Sequence, residues 1–314
     1  MKSFWRDLQR PFFILAPMEA VTDVVFRHVV AQAASPDVYF TEFTNATGWV
    51  QAGEKAIGGR LGKTSDEQPL VAQLWGGKAA DIAILAKHCR TLGFDGIDIN
   101  IGCPDKSAIK AGGGADLIRH PTVAGEIIHA AKQSGLPVSV KTRLGYSKTD
   151  EWSSWIAFLL QQDIEALTIH LRTKKEMSAV PAHWEIMPAI KALRDQLAPQ
   201  TLLIGNGDVQ DRLHGQALID QTGIDGIMIG RGIFHNPFGF ENTKQTHTRH
   251  ELLELLSYHL DMYQQYHHLT RRPYESLKRF FKVYIRDFDG ASELRHQLMQ
   301  TTSGEEVRNI LKLT

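Results

Sequence analysis

The residue with the most distinctive chemistry is Cys103, which directly follows a predicted buried strand. It lies in the segment Asn100-Ile101-Gly102-Cys103-Pro104, after the apolar run 96–99. The chain has one other cysteine, Cys89, so neither a disulfide framework nor a thiolate metal cluster accounts for Cys103. A thiol beside an amide at the end of a buried strand predicts an active site, because catalytic residues of α/β barrels lie there.

Polar residues follow the other predicted strands in the same way. Because the strands of an α/β barrel end at one face, these side chains are expected to share one site. Charged groups there are costly unless they are paired or bind a ligand. The residues are Pro17, Met18, Glu19, Thr41, Glu42, Gln73, Asn100, Lys141, Arg143, His170, Arg172, Asn206, Gly207, Asp208, Gly230, Arg231 and Gly232.

Two of these segments predict a phosphate site, and Lys141 predicts an anionic reaction partner. Gly230-Arg231-Gly232 lets backbone N–H groups approach an anion, and Arg231 adds a charge-assisted hydrogen bond. Asn206-Gly207-Asp208 makes a second tight turn, as in the phosphate sites after the last two strands of such barrels. The Lys141 ammonium, at the end of a central strand, suits either a reduced flavin or a Schiff base.

Eight short apolar runs that alternate with helical patterns determine the predicted fold. Several runs are almost wholly apolar, as expected for strands that are covered on both faces. This rhythm predicts an α/β protein with a (β/α)8 TIM barrel rather than an open doubly wound sheet, since no GxGxxG follows the first strand. The predicted strands are 12–16, 38–41, 70–74, 96–99, 138–141, 167–170, 202–205 and 226–229, and the predicted helices between them include 79–92, 121–134, 153–162, 184–196 and 211–222.

The composition changes near residue 241, which indicates a domain boundary. A polar segment, 241–250, is followed by three helical patterns without a strand signal. We therefore expect a barrel domain, 1–240, and a small all-α C-terminal domain, 248–314. The three helical patterns are 252–266, 273–288 and 305–313.

One face of the second C-terminal pattern is predicted to be basic. Lys278, Lys282 and Arg286 are four residues apart, so they would lie on one side of a continuous helix. Lys and Arg together number 35 and balance 35 Asp and Glu, so the bulk charge gives no sign of a nucleic-acid partner. A basic face on this helix would therefore be a local surface for phosphates.

The composition also bears on compartment and on metal binding. Two cysteines suit a reducing cytosol, and the first ten residues lack the apolar core of a signal peptide. No uncharged apolar run reaches the roughly 18 residues of a membrane helix. The histidines show no convincing metal-binding pattern. We expect a cytoplasmic protein with no membrane span and no metal.

Eight segments together resemble the tRNA-dihydrouridine synthase family. They occur in the family's order between residues 12 and 235, and the combination of Asn-x-Gly-Cys-Pro with Lys-x-Arg-x-Gly is specific. The run 111–115 resembles the bacterial subgroup that modifies position 16 of the D-loop, whereas Asn45 is not the basic residue expected in that subgroup, so the target position stays open. The segments are Ala16-Pro17-Met18-Glu19 with Thr22-Asp23, Thr41-Glu42, Gln73-Leu74-Trp75-Gly76, Asp98-Ile99-Asn100-Ile101-Gly102-Cys103-Pro104, Lys141-Thr142-Arg143-Leu144-Gly145, His170-Leu171-Arg172-Thr173, Asn206-Gly207-Asp208 and Ile229-Gly230-Arg231-Gly232.

The resemblance implies an enzyme that reduces the C5–C6 bond of a uridine in tRNA, with FMN as cofactor and NADPH as reductant. Cys103 would be the general acid that protonates C5, and Asn100 and Arg143 would hold the uracil edge or a neighbouring phosphate. The C-terminal domain would bind tRNA, and a monomer is expected because the barrel must admit tRNA. FMN would be held by Pro17, Met18, Glu19, Gln73, Lys141, His170, Asn206, Gly207, Asp208, Gly230 and Arg231.

Three other functions remain open on the residues alone. An FMN TIM-barrel oxidoreductase that acts on a small molecule, such as a free pyrimidine, would use the same phosphate site and Lys141. A phosphosugar isomerase or lyase would use Lys141 as a base or a Schiff-base residue. A tRNA-binding protein without catalysis would need no Cys103 at all.

Overall fold

Residues 3–312, which the computed structural model describes, contain eight β-strands. All eight predicted strands are confirmed and differ from the prediction only at their ends. They are β1 (Phe12–Leu15), β2 (Tyr39–Asn45), β3 (Leu70–Trp75), β4 (Gly96–Ile101), β5 (Val138–Arg143), β6 (Ala166–His170), β7 (Leu202–Asn206) and β8 (Gly226–Ile229).

The strands form one parallel sheet that curls into a barrel. Each strand from β2 to β7 pairs with the strand that follows it in the chain, and β8 pairs with β1. Between β1 and β2 the ring is completed by a parallel bridge at Ile14 and Val38, where the Leu15 N–H donates to the Val38 carbonyl at 3.1 Å. The expected TIM barrel is therefore confirmed, and all the strands end at one face.

Helices surround the barrel and continue after it. The five helices predicted between strands are all present, because each buries an apolar stripe against the sheet. None of the helices within residues 3–312 is long and apolar enough to cross a membrane. The α-helices are α1 (Val24–Ala33), α2 (Ala46–Ala52), α3 (Glu54–Ile57), α4 (Ala79–Thr91), α5 (Lys106–Lys110), α6 (Pro121–Lys132), α7 (Trp152–Leu160), α8 (Met187–Leu197), α9 (Arg212–Thr222), α10 (Gly232–His235), α11 (Arg249–Thr270), α12 (Phe281–Tyr284), α13 (Ala291–Gln300) and α14 (Gly304–Lys312).

A cluster of apolar side chains fills much of the barrel interior. Phe12, Ile14, Phe40 and Met228 are fully buried in this inner cluster. Trp5, in a short 3₁₀ turn before β1, belongs to the same cluster and is 1% exposed. The N-terminal segment thus contributes an aromatic side chain to the inner core.

The second C-terminal helical pattern is not the continuous helix that the sequence predicts. It begins with a 3₁₀ segment, Tyr274–Phe280, continues as the short helix α12, and ends before Arg286. The prediction that Lys278, Lys282 and Arg286 share one helix face is therefore wrong. The Lys278 ammonium donates to the Met299 carbonyl at 3.0 Å, the Arg286 Nε lies 3.6 Å from Asp287, and the Lys282 side chain is exposed.

The C-terminal helices are joined to the barrel by an ionic contact and by aromatic packing. Arg272 donates from Nη2 to Glu42 Oε1 at 2.5 Å, and Glu42 is 1% exposed. The Ala20 N–H donates to the same carboxylate at 2.5 Å. Phe26 of α1 stacks on Phe280 with ring centroids 4.8 Å apart. Burial raises the pKa of Glu42 to about 7 although Arg272 opposes that shift.

Replacement of Trp5 by Ala should destabilise the barrel by about 3–5 kcal/mol, because a large buried aromatic side chain leaves a cavity that the inner cluster cannot fill. The indole N–H has no partner, so Trp5→Phe should cost much less. Urea unfolding measures the free energy of unfolding of both variants. It is followed by far-ultraviolet circular dichroism, because tryptophan fluorescence would itself change when Trp5 is replaced. Equal losses for the two variants would contradict a packing role, and Leu213→Ala, at a position 40% exposed, is the control.

Candidate active site

A cavity of about 840 Å³ opens at the carboxyl ends of the strands. Nine of the eleven residues predicted to hold a cofactor line it, so the structure brings most of that set together. They come from β1, β5, β6, β7 and β8 or from the loops that follow these strands. These nine residues are Pro17, Met18, Lys141, His170, Asn206, Gly207, Asp208, Gly230 and Arg231.

Lys141 is held in this cavity by an amide whose direction is fixed. Asn206 donates from Nδ2 to the Met228 carbonyl at 2.8 Å, so its Oδ1 faces Lys141 Nζ at 3.2 Å. Burial, and next the charge of Arg143, lower the pKa of Lys141 to about 8. At neutral pH the ammonium is charged in a poorly solvated place, which favours a bound anion.

His170 is neutral and has one assigned tautomer. Its Nε2 lies 2.9 Å from Nη1 of Arg172. Because a guanidinium only donates, Nε2 must accept, and the proton resides on Nδ1. Burial and the neighbouring cations, Lys141 first, push the pKa of His170 far below its ordinary value. His170 therefore offers a neutral N–H donor to a ligand rather than a positive charge.

The anion-binding turns are present, but their charged residues are already engaged with one another. Gly207 has φ +125°, a conformation that favours glycine. Arg172 donates to Asp208 Oδ2 and lies 3% exposed, and Arg231 Nη2 is 3.8 Å from Asp208 Oδ1. Arg231 is 63% exposed at the cavity rim. Asp208 thus orients two guanidinium groups and is not itself an anion ligand.

Cys103 lies in a second cavity of about 370 Å³. Glu19, predicted as a cofactor ligand, lines this cavity and not the larger one, and Arg60 donates to Glu19 from Nε at 3.1 Å. Sequence analysis missed Arg60 because nothing in its own neighbourhood marks it, and it lies 41 residues from Glu19 along the chain. Phe43, Asn45 and Trp75 also line the Cys103 cavity.

The Cys103 thiol is protonated at neutral pH. Burial raises its pKa above the ordinary value of a thiol, and the Arg143 charge only partly opposes this. Asn100 Oδ1 accepts the N–H groups of Gly102 at 3.0 Å and of Cys103 at 2.8 Å, which fixes the loop that carries the thiol. A half-buried, protonated thiol on a fixed loop can act as a proton donor.

Two predicted ligand residues are used inside the protein. Arg143 donates to the carbonyls of Gly102 at 2.8 Å, Thr173 at 3.1 Å and Met177 at 2.9 Å, so it joins the end of β5 to the loops that follow β4 and β6. Gln73 lines neither cavity and is fully buried. Within residues 3–312 no group of three or more His, Cys, Asp or Glu side chains is arranged to hold a metal ion.

A closed parallel barrel with a cation-lined cavity and a protonated thiol at the carboxyl ends of its strands places the chain among the TIM-barrel enzymes. Residues 14–314 match the family model of the dihydrouridine synthases, described as "Dihydrouridine synthase (Dus)". The chain belongs to this family.

Curated relatives match over almost their whole length. The chain is 56% identical over 311 residues to a "Probable tRNA-dihydrouridine synthase 2" of Bacillus subtilis (strain 168), which covers 99% of this chain and 96% of the relative. It is 55% identical to a "Probable tRNA-dihydrouridine synthase" of Staphylococcus aureus (strain COL), with 99% and 95% covered.

Solved structures share the fold at low identity. A histamine dehydrogenase from Rhizobium sp. 4-9 has a TM-score of 0.52 at 11% identity and covers 80% of this chain and 48% of its own. A 2-naphthoyl-CoA reductase has a TM-score of 0.51 at 9% identity, with 72% and 48% covered. These similarities support the barrel architecture.

Lys141→Met should raise the free energy of unfolding at pH 7 by about 1–2 kcal/mol, because it removes a poorly solvated charge. The folded-state pKa of about 8 lies below the ordinary lysine pKa of 10.5, so the buried charge lowers the free energy of unfolding most below pH 8. The gain should therefore shrink as the pH rises from 8 to 10.5.

Urea titrations between pH 7 and 10 measure this difference, and Lys87→Met, at an exposed position on α4, is the control. A Lys141→Met variant less stable than wild type at pH 7 would contradict the buried-charge account.

Proposed function

We propose that this protein reduces a uridine in tRNA to 5,6-dihydrouridine, with FMN as its bound cofactor and NADPH as the reductant. The observation that carries the proposal is the pairing of a cation-lined cavity of about 840 Å³ with a half-buried thiol, Cys103, in a member of the dihydrouridine synthase family. The curated relatives of highest identity given above are both named as probable tRNA-dihydrouridine synthases.

The residues of the larger cavity fit FMN in their chemistry. The Lys141 ammonium suits a ring that gains negative charge on reduction, and the Nδ1–H of His170 can donate a hydrogen bond to a polar atom. Gly207, Gly230 and Arg231 suit a phosphate. When bound, FMN supplies the hydride that the C6 atom of uracil receives.

Cys103 supplies the proton in this mechanism. The thiol donates its proton to C5 as C6 accepts the hydride, so the C5–C6 double bond becomes single and a thiolate remains. Burial keeps the thiol protonated beforehand, since it raises the pKa of Cys103. The Cys103 thiolate then regains a proton from solvent before the next turnover.

The tRNA surface is the second part of the proposal. A stacked base cannot reach a barrel mouth, so the target uridine must be flipped out or already unpaired. We propose a barrel domain, 1–240, and a helical tRNA-binding domain, 248–314, in which exposed Lys282 contacts phosphates. The enzyme would work as a cytoplasmic monomer, which leaves the barrel mouth open to tRNA.

The decisive experiment incubates the purified protein, FMN and NADPH anaerobically with unmodified tRNA and maps dihydrouridine by mass spectrometry. A new dihydrouridine establishes the reaction and identifies its position, including whether it is position 16. NADPH-reducible flavin without product would favour a small-molecule oxidoreductase, and absence of flavin binding would contradict the proposal.

Cys103→Ala should retain FMN and NADPH oxidation but lose uridine reduction by about 100-fold or more, because the proton donor is removed. Cys89→Ala is the matched control, since Cys89 is fully buried in α4. Anaerobic flavin reduction and dihydrouridine formation are measured separately. Equal loss of both half-reactions would show that Cys103 has a structural role instead.

Lys282→Glu should raise the KM for tRNA by about 3- to 10-fold at low salt and reduce the salt dependence of binding. Its flavin reduction by NADPH should not change. Lys87→Glu changes the charge equally on the outer helix α4 and serves as the control. The same salt slope in both variants would exclude Lys282 from the tRNA surface.

A further inference from the structure

A continuous chain of side-chain hydrogen bonds runs beneath the Cys103 loop. Ser139 Oγ donates to Asp98 Oδ1 at 2.7 Å, and Gln73 Nε2 donates to Asp98 Oδ2 at 2.7 Å. Asn100 Nδ2 donates to Gln73 Oε1 at 2.9 Å. Asn100 Oδ1 then accepts the N–H groups of Gly102 and Cys103. The chain therefore connects a buried carboxylate to the backbone of the proton donor.

The barrel register explains why these side chains meet. Gln73 of β3 pairs with Asp98 of β4, and Asp98 pairs with Ser139 of β5. Residues in register on neighbouring parallel strands point to the same face of the sheet. Their side chains are almost inaccessible, with Gln73 and Asp98 at 0%, Ser139 at 1% and Asn100 at 6% exposed.

The direction of each amide in the chain is determined by its neighbours. Backbone N–H groups only donate, so the atom of Asn100 that faces them must be oxygen, and its NH₂ must face Gln73. Gln73 must then present its oxygen to Asn100 and its NH₂ to Asp98. The side chain at position 98 must therefore accept a hydrogen bond from the Gln73 NH₂. If it did not, nothing at that end of the chain would hold the two amides in these directions.

We propose that Asp98 is a positioning residue for Cys103: it sets the direction of the Gln73 amide, and through Gln73 and Asn100 it fixes the backbone that carries the thiol. The role rests on the proposed function, because the step it serves is proton donation by Cys103. Asp98 itself touches neither of the two cavities.

A different role for Asp98 would be that of a counter-ion, since the charges of Lys141 and Asp98 interact. The two roles predict opposite results for Asp98→Asn: a counter-ion would lose its function, whereas a positioning residue would keep it. The new amide can turn its oxygen to Gln73 and its NH₂ to Ser139, whose hydroxyl can in turn donate to the Ile97 carbonyl, 3.5 Å away. Amide direction is then preserved while the charge is lost.

The first test measures the alkylation rate of Cys103 by iodoacetamide, which needs neither cofactor nor tRNA. Asp98→Ala should accelerate it about 10-fold, because a released loop exposes a thiol whose reactivity burial suppresses. Asp98→Asn should remain within about 3-fold of wild type. Cys103→Ala gives the blank, since the remaining Cys89 is fully buried.

The second test exchanges donor and acceptor between positions 73 and 98. Gln73→Glu places two carboxylates in contact and should accelerate alkylation as Asp98→Ala does. Adding Asp98→Asn to Gln73→Glu lets the new amide donate to the new carboxylate, which still accepts from Asn100, so the double variant should return towards the wild-type rate. If each substitution only damaged the structure, the two effects on the alkylation rate would add, and the double variant would react faster than either single variant.

Uridine reduction should follow the same order, with a loss of about 100-fold for Asp98→Ala, little loss for Asp98→Asn, and an unchanged KM for tRNA. Thr168→Val, which removes a buried hydroxyl without a partner in β6, is the matched control for polarity and folding. Circular dichroism and melting confirm that each variant folds.

Equal effects of Asp98→Asn and Asp98→Ala would overturn the proposal in favour of a counter-ion. Unchanged alkylation in every variant would overturn it as well. If wild-type protein forms no dihydrouridine, the proposed function fails, while the alkylation results still decide whether Asp98 positions Cys103.

Discussion

The active site depends on one constraint, which is that charged and polar groups are held out of water at the carboxyl ends of a closed parallel barrel. An apolar cluster lies inside the barrel beneath them, so these polar groups take their partners from one another, from the backbone of the rim loops or from a ligand. This is why Lys141 has a depressed pKa, why His170 is neutral, and why Cys103 keeps its proton. The same desolvation gives each group the protonation state that its proposed role requires.

Two kinds of interaction share this rim. The larger cavity is lined by residues such as Lys141 and His170, which we propose contact the cofactor. Around Cys103 the polar atoms instead form hydrogen bonds within the protein, as Arg143 does with three backbone carbonyls. The proposed reaction needs both arrangements side by side, because it requires a bound cofactor and a thiol held in a fixed position.

Much of the fold could be predicted from sequence because buried parallel strands consist of short runs of apolar residues. The polar residues that follow each run indicate which face of the barrel carries the site. Pairing across that face could not be predicted, since Glu19 and Arg60 belong to different loops. The broken helix at residues 274–284 was also missed, because the spacing of the buried Leu277 and Phe281, four residues apart, is the same as in a continuous helix. One available signal was overlooked: Asp98 is a charged residue in a strand that is buried along its whole length.

The contact between Arg272 and Glu42 has a consequence for how this architecture can be recombined. Glu42 is buried in the barrel, and its cationic partner comes from a part of the chain 230 residues later. A barrel that lost the C-terminal helices would retain an uncompensated carboxylate beside the loop of Ala20. The C-terminal helices therefore cannot be exchanged freely. A chimera with helices from another family member would need a cation at the position of Arg272 to pair with Glu42.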